Sequence, residues 1–297
     1  MPRPPIDLTR KIKDILTHTQ ELPEEAKAPI LHYRRTKTDI ATSLDYVHSA
    51  FRRLASPDSK PGLNRDAADR HLGRFYGMAL VQVIENFERF LKEVAATCID
   101  ILSAFVTDGR FNVFKIQATT LASHFDTDTI GKSLCESATW LDCDEINERF
   151  RKLLADPHQE GGQFFNLFPR ANQQPIGEVW RVATLNIVWQ IRHTVVHNVG
   201  VVTQSDGAKL RLLTREPVAA PRVLIPTRLD LNYLFRFLDD TANVSNQRVG
   251  ERLASLLTTM SQTEPDLFTA QEMADRLAAI FRLPLRVSGQ AGVVPVD

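Results

Sequence analysis

Apolar residues recur at steps of three and four along most of this chain, the spacing that gathers them on one face of an α-helix. Leu80, Ile84, Phe87, Leu91, Val94, Cys98, Leu102 and Phe105 make the longest such series and predict a core-facing helix over residues 74–105. Ile40, Leu44, Val47 and Phe51 predict a second over 30–54. Leu231, Leu234, Phe235, Leu238, Val249, Leu253 and Leu257 predict another from 229 onward. Shorter helices are predicted over 7–19, 113–123, 145–154, 178–198 and 269–281. Proline- and glycine-bearing connectors at 56–64, 156–163 and 168–177 separate these segments. The period changes only after Asn198. There VGVVT and KLRLL flank QSDGA, whose Asp206-Gly207 reads as a hairpin turn, and VLIP at 223–226 reads as a further short strand.

These elements predict an all-α helical bundle with a small β-hairpin after the helix at 178–198. The connectors divide it into an N-terminal helical extension (1–62), a main helical domain (63–260) and a C-terminal helix and tail (261–297). At 43% apolar residues the chain can build a real core. Its 36 basic and 36 acidic residues cancel, so it is no general nucleic-acid coat, and contact with a polyanion must come from a local patch. Three cysteines without a CxxC pair exclude a disulfide framework, and Cys98 falls on the core stripe. The opening residues MPRPPIDLTRK lack the apolar region of a signal peptide, and no apolar run is long enough to span a membrane. The expected setting is the cytoplasm.

Chemistry concentrates in one stretch, QIRHTVVHNVG at 190–200, with Gly200 placed to end the helix. A histidine near neutral pKa can take a proton from an attacking hydroxyl or return one to a leaving oxygen. A guanidinium can grip a phosphate bidentately and offset charge that builds on it. RNA carries its own nucleophile in the 2′-hydroxyl, so Arg192 and His197 make a minimal kit for cutting it without a metal. Spacing alone favours a structural role, with the arginine capping carbonyls and the histidine satisfied within the core. Arg192 and His197 are five residues apart, about 140° around an ideal helix, and so do not share a face. His193 and His197 do.

Arg192-His193-Thr194-Val195-Val196-His197-Asn198-Val199-Gly200 resembles the motif of the HEPN superfamily: an arginine, four to six residues, then a histidine, often as His-Asn-x-Gly. His193 stands where a common form of that motif has asparagine. NFERFLKE at 86–93 resembles the helix that precedes the motif in such proteins, with Glu88 in the matching place. The resemblance spans roughly residues 75–260. It implies a helical bundle of HEPN type and a metal-independent endoribonuclease, with no cofactor, whose site forms across a homodimer. It implies His197 as general acid/base and Arg192 as the group that binds the scissile phosphate. His193 and Asn198 would assist, and Glu88 would hold Arg192 through an ion pair. It also implies RNA as a partner, a role as a toxin or anti-phage effector, and an antitoxin or defence-system protein as a further partner. Some members of the superfamily are non-catalytic, so a dimerising scaffold or sensor subunit that binds a protein or RNA is the alternative.

Other readings compete. His193-x3-His197 has the spacing of two zinc ligands on a helix, but Thr194 stands where a zincin has glutamate, and no third ligand is apparent. Residues 34–74 are locally basic and could track RNA, although Asp39, Asp45, Asp66 and Asp69 are interspersed. Phosphate-loop, dinucleotide and nucleophile-elbow signatures are absent.

Overall fold

The computed structural model describes residues 28–56, 64–103, 109–114, 129–136, 140–156, 165–169, 179–263, 270–283, 285–288 and 292–295. The helix predicted at 7–19, most of that at 113–123, and Phe105 lie outside the described residues. In chain order the helices are α1 (Pro29–Leu54), α2 (Arg65–Leu102), α3 (Ile130–Glu136), α4 (Cys143–Leu153), α5 (Val179–His197), α6 (Gln204–Thr214), α7 (Arg228–Thr263) and α8 (Ala270–Phe281). A 3₁₀ turn covers Gly109–Val113. Four short strands complete the set: β1 (Val201–Val202), β2 (Arg222–Val223), β3 (Leu285–Ser288) and β4 (Gly292–Pro295). The fold is all-α with small antiparallel β-ladders.

Helix α2 is the spine, and α1, α3, α5 and α7 pack along it. Its apolar stripe is buried as the periodicity predicts, from Leu80 through Ile84, Phe87, Leu91, Val94 and Cys98 to Leu102. It begins nine residues earlier than predicted, because Arg65–Gly73 is too polar to show a stripe. What starts it is a cap: the Asn64 side chain accepts the Asp66 N–H at 2.8 Å. Helix α1 opens with Pro29 in its first turn, where a missing N–H is harmless. It lays Tyr33 into the core, with that ring 5.5 Å from Phe90. The helix assigned to an N-terminal extension thus shares the core of the helices that follow it.

Helix α3, which the periodicity does not predict, crosses α2 at close range. A Cβ on Gly131 would sit 2.1 Å from the Ala96 carbonyl oxygen, so only glycine permits this approach. Gly131→Ala should displace α3 and lower stability by about 1–2 kcal/mol, measurable by urea denaturation. An unchanged midpoint would mean that α3 is free to shift.

The β excursion differs in detail from the sequence reading. KLRLL is not a strand; it lies within α6. Asp206-Gly207 is not a hairpin turn but part of the first turn of that helix, capped by Thr203 in a reciprocal box with Asp206. Aspartate and glycine suit turns and helix N-termini alike, and the Thr203 side chain decides between them. β1 instead pairs antiparallel with β2, Val201 opposite Val223 and Val202 opposite Arg222, with α6 bridging the two. The sequence signal for a strand at 223–226 thus captures one residue of β2.

Helix α7 also starts on a reciprocal cap. The Thr227 N–H donates to Asp230 Oδ2 at 2.8 Å, and the Asp230 N–H donates back to Thr227 Oγ1 at 3.3 Å. At the far end α8 closes on α7 with Phe281 fully buried, where the Asn246 amide donates to the Phe281 carbonyl at 2.6 Å. Among the described residues no helix is long and apolar enough to cross a membrane.

Candidate functional site

The Arg–His stretch forms the last two turns of α5. Thr194 is fully buried, and its carbonyl accepts both the Asn198 N–H at 3.1 Å and the Gly200 N–H at 3.3 Å. The helix then stops through two left-handed residues, Val199 at φ 51° and Gly200 at φ 80°. Glycine suits that region. A β-branched valine does not, at a strain of roughly 1–2 kcal/mol. The Gly200 carbonyl accepts the Leu224 N–H at 2.8 Å, which ties the helix end to the β1–β2 ladder.

Beneath this end lies Asp206, the residue that sequence reasoning misplaced. It is 2% exposed. It accepts from the Asn198 amide at 2.7 Å, the Gln190 amide at 3.0 Å, the Thr203 hydroxyl at 2.8 Å and the Thr203 N–H at 3.2 Å. Burial pushes its carboxyl upward, but the bonds from Thr203 and Asn198 outweigh burial and hold it below the usual carboxylate range. Asn198, expected to contact phosphate, is therefore bonded to this buried anion instead. It fixes the helix end. The signal for Asp206 in the sequence is Thr203-x-x-Asp206, a capping pattern.

His193 and His197 lie side by side on the exposed face, ring centroids 4.6 Å apart and tilted by 43°. Val196, Val199, Val201, Val223 and Ile225 are all exposed, and Val201 and Val223 are directly opposed across the ladder.

Arg192 points elsewhere. Its Nη2 lies 3.2 Å from Glu85 Oε1 on α2, while its Nε is buried without a hydrogen-bond partner. The expected partner, Glu88, instead pairs with Lys92 at 3.1 Å. Glu85 precedes Glu88 by three residues on α2, and the rotation of α5 brings the guanidinium to the earlier one. Arg192, Glu85 and Glu88 all line one cleft of about 540 Å³, together with His32 from α1 and Lys132 from α3. The structure thus gathers Arg192 with two glutamates, pairs His193 with His197, and keeps these two groups on separate faces of α5. No hydrogen bond or ring contact joins Arg192 to His197 among the described residues. Glu85→Gln should free the guanidinium for other anions. Because Glu85 is nearly half exposed, the gain is small, a few-fold tighter binding of a single-stranded oligonucleotide at low salt. Fluorescence anisotropy would read it, and unchanged or weaker binding would count against this cleft as an anion site.

Among the described residues no three of His, Cys, Asp and Glu converge as metal ligands. Within the basic stretch on α1 and early α2, Lys37 pairs with Asp239 at 2.7 Å and Arg52 with Asp69 at 3.2 Å, while the acid Asp45 is taken up by Arg228 at 2.6 Å. All three cysteines are free and buried, and burial pushes their thiols upward, which silences them as nucleophiles.

Comparison with protein-family models, with curated proteins and with solved structures found no match.

Proposed function

We propose that this chain is a HEPN-type, metal-independent endoribonuclease that works as a homodimer. The observation that carries the reading is the exposed His193–His197 pair, ring centroids 4.6 Å apart, on a helix end that Asp206 fixes through Asn198. An imidazole pair open to solvent can exchange protons with a docked substrate. One chain does not bring the groups together, since its Arg192 pairs with Glu85 on another face of α5. A second copy can. Two motif helices brought together would set Arg192 of one chain near His197 of the other. The exposed valines beside the histidines offer an apolar rim for such a contact, and its closure would exclude water from the reacting phosphate.

In this reading the 2′-hydroxyl loses its proton to an imidazole and attacks the adjacent phosphorus. Charge builds on the non-bridging oxygens, where Arg192 meets it. The bond to O5′ breaks as that oxygen takes up a proton. A 2′,3′-cyclic phosphate and a 5′-hydroxyl remain. Such an enzyme would serve as a toxin or anti-phage effector, restrained by an antitoxin or a defence-system partner.

The test is incubation of the purified protein with total cellular RNA in EDTA, beside His197→Ala. Cleavage that survives EDTA, leaves cyclic-phosphate ends and disappears in the variant is the expected result. Cleavage that needs a divalent ion, or that persists in His197→Ala, would overturn it. The same exposed valine face favours one second reading, a dimerising scaffold or sensor without catalysis. A stable dimer that leaves RNA intact would select that reading.

A further inference from the structure

Cleavage through the 2′-hydroxyl moves two protons, one off the nucleophile and one onto the leaving oxygen, so two proton-transfer groups speed it more than one. The cleft that holds Arg192 contains an imidazole outside the motif. His32 reaches into it from α1 and is 7% exposed. Its Nδ1 lies 2.7 Å from Glu93 Oε1 on α2. A carboxylate there draws the ring proton to Nδ1 and leaves the lone pair on Nε2. Among the described residues Nε2 has no hydrogen-bond partner. Glu93 is itself steadied by the Arg89 side chain at 3.6 Å. A histidine oriented by a glutamate, in the same cleft as the guanidinium, is thus assembled within one chain. The motif histidines are not; they lie on another face of α5.

We infer that His32 is a second proton-transfer residue of the reaction, acting at the phosphate that Arg192 holds. This rests on the ribonuclease reading. His32 Nε2 takes the 2′-hydroxyl proton as O2′ bonds to phosphorus. The phosphorus–O5′ bond breaks, and O5′ receives a proton from His197 of a second chain. The protonated His32 and the neutral His197 then return their states through water, so protons and electrons balance without an added oxidant or metal. Glu93 does not touch the substrate. It is a positioning residue that fixes the tautomer and the orientation of the ring.

The experiment uses the full-length protein, a short oligoribonucleotide for cleavage, and its fully 2′-O-methylated analogue for binding. His32→Ala should slow cleavage by roughly 10²–10³-fold. Binding of the uncleavable analogue should stay within about twofold, since the guanidinium is untouched. Added 4-methylimidazole should restore part of the rate, which a merely structural role would not allow. Glu93→Gln keeps a hydrogen-bonding side chain but removes the charge that orients the ring, so cleavage should slow by roughly tenfold while binding of the analogue stays unchanged. Parent-like cleavage by His32→Ala would overturn the inference and leave the ribonuclease reading intact. So would a loss of cleavage that tracks lost binding and resists imidazole, or parent-like cleavage by Glu93→Gln. A parent protein that leaves RNA uncut would overturn both.

Discussion

Replacing Asp206 with alanine should lower the stability of the folded chain by about 3 kcal/mol, since four donors lose a buried anionic acceptor at once. The bonds from Gln190, Asn198 and Thr203 converge on its two oxygens, and no other acid among the described residues is positioned to replace them. For a chain of this size the loss corresponds to a fall in melting temperature of about 5 °C. The effect also has a pH signature. The folded-state carboxyl is held below its ordinary value, so ionised Asp206 contributes stability above the unfolded-state pKa of about 4. That contribution is lost as pH falls through the lower folded-state value. The gap in denaturant midpoint between the parent and Asp206→Asn should therefore be full at pH 7 and narrow below about pH 4. A gap that stays constant from pH 7 to pH 3 would mean that the carboxylate charge adds nothing. A variant that melts with the parent would show that water replaces the whole network.

Arg192→Ala should reduce RNA cleavage by roughly 10²–10³-fold, the range found when a group that meets transition-state charge is removed. Arg192→Lys should recover little of it. A lysine carries the charge but lacks the planar fork, and its head is too compact to span Glu85 and a phosphate together. The fold should survive both changes, because Glu85 is nearly half exposed and its pairing contributes little to stability. The decisive measurement is single-turnover cleavage with the variant in excess, alongside its melting curve. Full activity in Arg192→Lys would reduce the role of Arg192 to point charge. Full activity in Arg192→Ala would remove it from the site.

Parts of this architecture can be read from periodicity and parts cannot. The stripe from Leu80 to Leu102 is visible because a helix buried along one face must repeat its apolar residues, and those residues are buried here. The first turns of α2 are hidden because a capping asparagine, not an apolar stripe, begins them. Asp206-Gly207 misleads because the same two residues serve hairpins and helix starts. The separation of Arg192 from His197 follows from the turn of an α-helix. The partner of Arg192 does not: Glu85 and Glu88 lie close together on α2, and only the packing of α5 selects between them. The pairing of His32 with Glu93 is invisible in sequence, since 61 residues separate them and nothing local marks either one.

The end of α5 has a consequence for motion. The Thr194 carbonyl is buried and holds two amides, those of Asn198 and Gly200, while the rings of His193 and His197 lie in solvent. Solvent hydrogen reaches an amide only when its bond opens, and these bonds open only if the ladder or the Asp206 network also gives way. Exchange at Asn198 and Gly200 should then be as slow as in the middle of α2, although both sit at a chain reversal next to water. The imidazoles can turn about their side-chain bonds within nanoseconds on a backbone that stays closed far longer. Rapid reorientation above a slow platform lets a histidine pass a proton in one pose and accept its replacement in another without unfolding the turn that carries it.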